Sequence, residues 1–173
     1  ILPPTEAELA IAKISNIVVR SLKFRNFTLL AKYIHPKLGV KFSPYPYILS
    51  EDLAFEGEDI ATAYASKREY VWGTQRDLTE IRHNFAEYYA KHVYNQDFSN
   101  ATSITYNKDS NNKNIINNLR EFYPQSIIVE YFIDSINPRL EGKDWTSLKL
   151  VYEKFKNQWY LVGIVHAKAI NIN

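Results

Sequence analysis

The chain contains no cysteine and no methionine, and only 5 of its 173 residues are glycine. Without cysteine there can be no disulfide, no thiol nucleophile and no thiolate metal ligand, and the redox compartment is left open. Neither sign of charge dominates: 21 Lys and Arg face 19 Asp and Glu, for a formal charge of +2. No basic stripe or acidic tail appears, so nucleic acid and anionic membrane surfaces gain no electrostatic support as partners. No apolar run approaches the ~20 residues that a membrane-spanning helix needs. Phosphate loops, nucleophile elbows and HExxH zinc signatures are missing too, and no metal or cofactor is expected.

What is present is enough apolar material for a core. Hydrophobic residues make up 46% of the chain, and its length suits one domain over residues 1–173. The chain opens Ile1-Leu2-Pro3-Pro4 with no initiator Met. Two prolines directly before a helix start read as the end of an extended tether. The expectation is therefore export to the periplasm or cell envelope, with a lipid-anchored leader as one form of it; a boundary chosen for expression would give the same start.

Periodicity then sets the elements. Thr5 and Glu8 have capping-box spacing, and Ile11, Ile14, Val18 and Leu22 continue an amphipathic stripe to about Lys23. Asn26 is placed to cap a second helix that Pro36 stops. Gly39 leads into VKFSPYPYI, a strand that Pro44 and Pro46 confine to a sheet edge or to its own end. Residues 50–67 read as weakly helical through Leu53, Ile60 and Tyr64. EYVWGT at 69–74 reads as a strand, and Asn84 with Glu87 as a second capping box ahead of Phe85, Tyr88, Tyr89 and Val93. Residues 102–107 read as a strand, DSNNKN at 109–114 as a loop, 116–122 as a short helix and 127–134 as a strongly apolar strand.

The segment DWTSLKLVYEKFKNQWYLVGIVH at 144–166 is the strongest signal, two long strands around Lys156-Asn157. A two-residue turn pairs Phe155 with Gln158. It puts Leu148, Leu150, Tyr152, Trp159, Leu161 and Val165 on the core face, with Ser147, Lys149, Glu153, Gln158 and His166 opposite. A three-residue turn would swap the second strand and aim His166 inward. On the first register, Trp159→Ala should cost about 3–5 kcal/mol and Lys149→Ala no more than about 0.5. Helices first and strands last predict an α+β domain, with N-terminal helices packed on a curved antiparallel sheet.

This order, closing on WYLVGI, resembles the NTF2-like α+β cone superfamily. More specifically, IHPKLGVKFSPY at 34–45, WGT at 72–74, FAEYY at 85–89, INNLREFYP at 116–124 and the final hairpin are similar to a family of uncharacterised bacterial exported proteins of lipoprotein type. The resemblance implies a cone with a pocket between sheet and helices, and assigns no activity. Between Gly73 and Asn84 the chain lacks the glycine-rich turn that a hairpin there would use.

Chemistry-bearing residues are sparse. His83 and His92 lie nine apart without metal-ligand spacing, and His35 beside Pro36 reads as an imidazolium capping a helix C-terminus. Glu130 alternates with Val129 and Tyr131, which puts it on the wet face; Asp134 and Asp144 lie beside strands. Thirteen tyrosines and three tryptophans are the compositional excess, either as core fillers or as walls of a ligand site. The ligand-binding candidates are Tyr45, Trp72, Tyr106, Tyr131, Trp159 and His166. The expected function is non-enzymatic: binding of a small apolar or aromatic ligand, or of a protein partner, at the cone mouth. The alternative is a pocket enzyme of the ketosteroid isomerase, dehydratase or cyclase type that the resemblance implies. A homodimer through the open sheet is a third expectation.

Overall fold

Ala7, Ile11, Ser15, Val18 and Leu22 form one buried stripe along a 21-residue helix, α1 (Pro4–Phe24). The computed structural model describes residues 1–108 and 115–170, so the loop expected at 109–114 lies outside the described residues. Pro4 opens α1 and no side chain caps it, so the Thr5–Glu8 capping box does not form. A proline in the first helical position lacks only an N–H that would have gone unpaired. Arg25, with φ 52°, closes the helix. The Asn26 carboxamide then accepts from the Leu29 N–H at 3.1 Å and starts α2 (Phe27–Ala31), as expected.

Eight strands follow among the described residues. β1 (Val40–Ser43) stops directly before Pro44, and β2 (Ala54–Phe55) pairs with it where a helix was expected; only α3 (Ile60–Ala65) of that segment is α-helical. β3 (Glu69–Thr74) pairs with β4 (Glu80–Asn84), a strand that the sequence reading left out. Its turn needs no glycine, because Leu78 takes φ 68° and the Asp77 carboxylate accepts from the Thr79 N–H and hydroxyl. The Asn84–Glu87 capping box is formed in both directions and opens α4 (Phe85–His92). β5 (Ser103–Tyr106), α5 (Leu119–Phe122), β6 (Ile127–Ile133), β7 (Thr146–Phe155) and β8 (Gln158–Lys168) complete the order.

The main sheet runs β2-β1-β8-β7-β6-β5, and β3-β4 form a separate pair. The domain is α+β, but the sheet is mixed, not purely antiparallel, because β1 lies parallel to β8. Nor is it strongly curled. β1 is therefore an inner strand, and its prolines mark its end.

The β7–β8 turn has two residues, Lys156 (φ 46°) and Asn157 (φ 67°), the positive-φ pair that suits the right-handed twist of a hairpin. Phe155 pairs with Gln158 as expected, and the register holds to Tyr152 opposite Leu161. The next pair is Val151 with Gly163, so Val162 is an extra residue. Beyond this bulge Lys149 faces Val165 and Leu148 faces His166. The placement of Val165 on the main core face is thus overturned: His166 occupies that face, though the turn is not the cause. A bulge changes face parity within one strand while leaving its partner regular.

Both faces of the sheet are covered. Leu148, Leu150, Tyr152, Leu161 and Ile164 join α1 and α4 in the main core. Val151, Val162 and Val165 pack on the other face with Ile48, Leu119 and Tyr123, from α5 and the segment after β1. Glu130 and Lys149 are therefore not solvated. They face each other across β6 and β7 at 4% and 8% exposure, with 3.7 Å between Lys149 Nζ and a Glu130 carboxylate oxygen.

Trp159 does share the face of Leu161, but it lies near the turn, half-buried, with Lys154 Nζ 5.7 Å from its ring centre. Truncation there opens less of a cavity than at fully buried Leu161. Leu161→Ala is expected to cost about 2–5 kcal/mol and Trp159→Ala less, while Lys149→Ala should exceed the ~0.5 kcal/mol of a surface site because it strips a partner from buried Glu130. Denaturant melts of the three variants check the order. A Trp159 variant weaker than the Leu161 variant would contradict it.

Candidate functional site

Two places gather the chemistry-bearing residues. The first is the inner face of α4, where Phe85, Tyr88 and His92 recur at spacings of three and four and point at the sheet. Trp72 of β3 stacks on Tyr88 with ring centres 3.8 Å apart and 9° between planes, and its indole N–H donates to the His83 carbonyl at 2.9 Å. Tyr88 lies 5.0 Å from His92, and His92 lies 5.5 Å from His166 and 6.2 Å from His83. Three of the four histidines, far apart in sequence, therefore meet.

Much of their polar surface is buried. The Tyr88 hydroxyl, His92 Nδ1, His166 Nδ1 and Asn95 Oδ1 are buried without a hydrogen-bond partner. The Thr146 hydroxyl lies 3.2 Å from His166 Nε2, donates to the Ala167 carbonyl, and accepts from the Asn95 amide at 3.3 Å. Burial pushes His92 down to about 4, with Lys168, His83 and Lys91 adding to the shift. Burial likewise pushes His166 to about 3, helped by His92 and Lys168 and opposed by the Pro44 backbone. Both rings are neutral at pH 7, and bases this weak take a proton poorly. Among the described residues no group of three or more His, Asp or Glu could hold a metal. This layer can pack and can respond to acid.

The remaining histidine is a correction. α2 ends at Ala31, before His35. His35 is buried, and its Nδ1 accepts from the backbone N–H groups of Lys37 and Leu38 at 3.1 and 3.0 Å. Burial lowers its pKa, so a neutral ring holds this turn and no imidazolium caps a helix.

The second place is a cleft of about 350 Å³ between α1, β5 and β6. Ala12, Asn16, Arg20 and Phe24 form its helical wall, a single row at spacing four; Ile104, Tyr106 and Tyr131 form the opposite wall. The Tyr131 hydroxyl lies 2.9 Å from Ser15 Oγ, which also accepts from the Tyr152 hydroxyl at 3.0 Å. This hydroxyl trio supports the floor, and burial pushes Tyr131 up to about 12, so it stays protonated. Lys23 at the rim is tied to Asp97 at 2.9 Å and to Ser99 at 3.1 Å. Phe24 is 64% exposed and Ile104 44%. The lining includes no carboxylate and no histidine.

The six candidates thus separate. Tyr106 and Tyr131 meet in the cleft, while Trp72 and His166 belong to the packed layer around α4. Tyr45 is 37% exposed after β1, close to Arg76 and Asp77 of the β3–β4 turn, and Trp159 stands apart by the β7–β8 turn. Sequence reasoning missed Arg20, Phe24 and Ile104 in the cleft, Ser15 beneath it, and Tyr88 with His92 on α4. Two signals were there: Ser15 interrupts the apolar stripe of α1, and His92 continues the spacing of Phe85 and Tyr88.

The buried imidazoles carry a pH prediction. Their folded pKa values are depressed below the 6.5 of an unfolded histidine. Below pH 6.5 the unfolded chain then binds more protons than the folded one, and stability falls as pH drops toward about 4. Each group contributes up to about 1.4 kcal/mol per pH unit, less for partly exposed His92. Asp52, its pKa raised by burial despite hydrogen bonds from Ser43 and the Leu49 N–H, works in the opposite sense. The denaturation midpoint should decline between about pH 7 and 5, and the slope should flatten in His92→Gln/His166→Gln. Equal slopes in both proteins would show that these rings do not set the acid limit.

Comparison with protein-family models and with curated proteins gave no match, so the reading of function rests on this geometry.

Proposed function

We propose that the chain is an exported binding domain of NTF2-like cone type, whose cleft between α1 and β5–β6 takes a small ligand with an apolar or aromatic body. The observation that carries this reading is the cleft itself. Its volume of about 350 Å³ falls in the ~300–1,000 Å³ range of small-molecule sites. Tyrosine and aliphatic walls with a few polar atoms are the usual composition of such sites.

The mouth supports the same reading. Phe24 and Ile104 leave apolar surface in water on both sides of the opening, where a ligand body would cover it. Proton transfer by a carboxylate or imidazole gains no support there, because the lining includes neither and its Lys23 is tied to Asp97. Element order, with α1 against the β5–β6 edge of the sheet, supports the cone-type relationship.

A neutral fluorescent probe, N-phenyl-1-naphthylamine, tests the reading. The wild-type chain should give a saturable rise in emission. Ala12→Phe, which fills the helical wall at a half-buried position without entering the core, should weaken binding at least tenfold with an unchanged melting midpoint. Equal binding by both proteins, or none by the wild type, would remove the cleft as the ligand site.

A further inference from the structure

Resting on that reading, we infer that the cleft selects a monoanion, a flat apolar body carrying one carboxylate or sulfonate group, with Arg20 taking the charge. The inference comes from the order of side chains along one row of α1. Glu8, Ala12, Asn16, Arg20 and Phe24 follow at spacing four along one ridge that winds slowly round the helix, and its stretch from Ala12 to Phe24 lines the cleft. At about 1.5 Å rise per residue, Glu8 and Arg20 stand roughly 18 Å apart along the axis. Arg20 lines the cleft, whereas Glu8 stands outside its lining; burial, and after it the Glu8 charge, helps keep the Tyr106 phenol protonated.

Two cations line the cleft and no anion does. Lys23 is already committed to Asp97. Arg20 is exposed and forms no ion pair among the described residues. A guanidinium offers a planar fork of donors that matches a carboxylate or sulfonate, and the Asn16 amide lies one turn away as a further donor. The exposed Phe24 ring continues the row beyond Arg20. A neutral ligand would leave Arg20 without a role at the rim; a cation would be repelled by it. The polarity also sets orientation, with the acidic group at Arg20, the body over Tyr131, and the far end toward Ala12, short of Glu8.

Two probes with one ring system separate this inference from the reading beneath it. 8-Anilinonaphthalene-1-sulfonate adds a sulfonate to the body of N-phenyl-1-naphthylamine. At low ionic strength the affinity ratio of sulfonate to neutral probe should fall roughly fivefold in Arg20→Gln and more than tenfold in Arg20→Glu, the scale of an ion pair at a half-shielded rim. Arg20→Lys should restore part of the ratio, and added salt should lower it in the wild type and in Arg20→Lys but not in Arg20→Gln. Ala12→Phe should weaken both probes, which places them in the cleft. A ratio unchanged in Arg20→Gln and Arg20→Glu overturns the anion inference and leaves the binding reading standing. Failure of both probes to bind the wild type overturns the two together.

Discussion

β8 is hydrogen-bonded to β7 along its whole length on one side and to β1 on the other, and Val162 inserts one residue into that ladder. Each side of the sheet depends on this placement. Before the bulge Leu161 joins the main core, and after it Ile164 and His166 do; Val162 and Val165 go to the opposite face with Val151. Gly163 follows directly, and a Cβ there would sit 3.1 Å from the Tyr123 hydroxyl and 3.3 Å from Val151. A side chain at that point would have to push Tyr123 or Val151 back by a few tenths of an ångström, so glycine lets the segment after α5 sit close to the strand.

A sheet buried on both faces must pair the polar groups it cannot expose. Cross-strand placement brings the Lys149 ammonium to buried Glu130 on the outer face. The inner face uses Ser15, which gives two tyrosine hydroxyls a partner inside the core. Leaving either hydroxyl unpaired would cost about 1–3 kcal/mol, more than most single apolar contacts contribute. The requirement is not met throughout: on the outer face the Tyr123 hydroxyl and Ser147 Oγ have no partner, and in the layer around α4 neither do the Tyr88 hydroxyl, His92 Nδ1 and Asn95 Oδ1. Aromatic stacking and edge contacts hold those rings together instead, and the burial that excludes water is what depresses the imidazoles.

Local signals proved the most legible part of the sequence. The Asn26 cap, the Asn84–Glu87 box, the stop before Pro44 and the two-residue turn at Lys156-Asn157 each depend on a few adjacent residues. Local signals also failed at the Thr5–Glu8 box and at the end of α2, but the larger errors have a different physics. The parallel pairing of β1 with β8, the bulge at Val162 and the cover over Lys149 all depend on partners far along the chain, which alternation within one strand cannot report. β4 was missed because Asp77 and Leu78 replace the expected glycine. Of the candidate site, Tyr106 and Tyr131 were legible as aromatics on adjacent strands. Arg20 was not, since on the helical wheel it reads as an ordinary solvated charge.

Why a cleft persists beside α1 follows from the same serine. Ser15 is the point where the helix meets the sheet, and two tyrosine side chains reach it from β6 and β7. Their length sets how far α1 stands from the strands. The next row round the helix, Ala12, Asn16 and Arg20, is small or polar and does not extend to β5 to close the gap. A row of leucines would bury itself against Ile104 and Tyr106 and eliminate the void, since apolar side chains left facing water are costly by about 25 cal/mol for each Å². The cleft is thus a product of two choices made on one helix: a serine that fixes the spacing, and beside it a row whose polarity runs from Glu8 to Arg20. Stability requires the first, and the proposed binding would use the second.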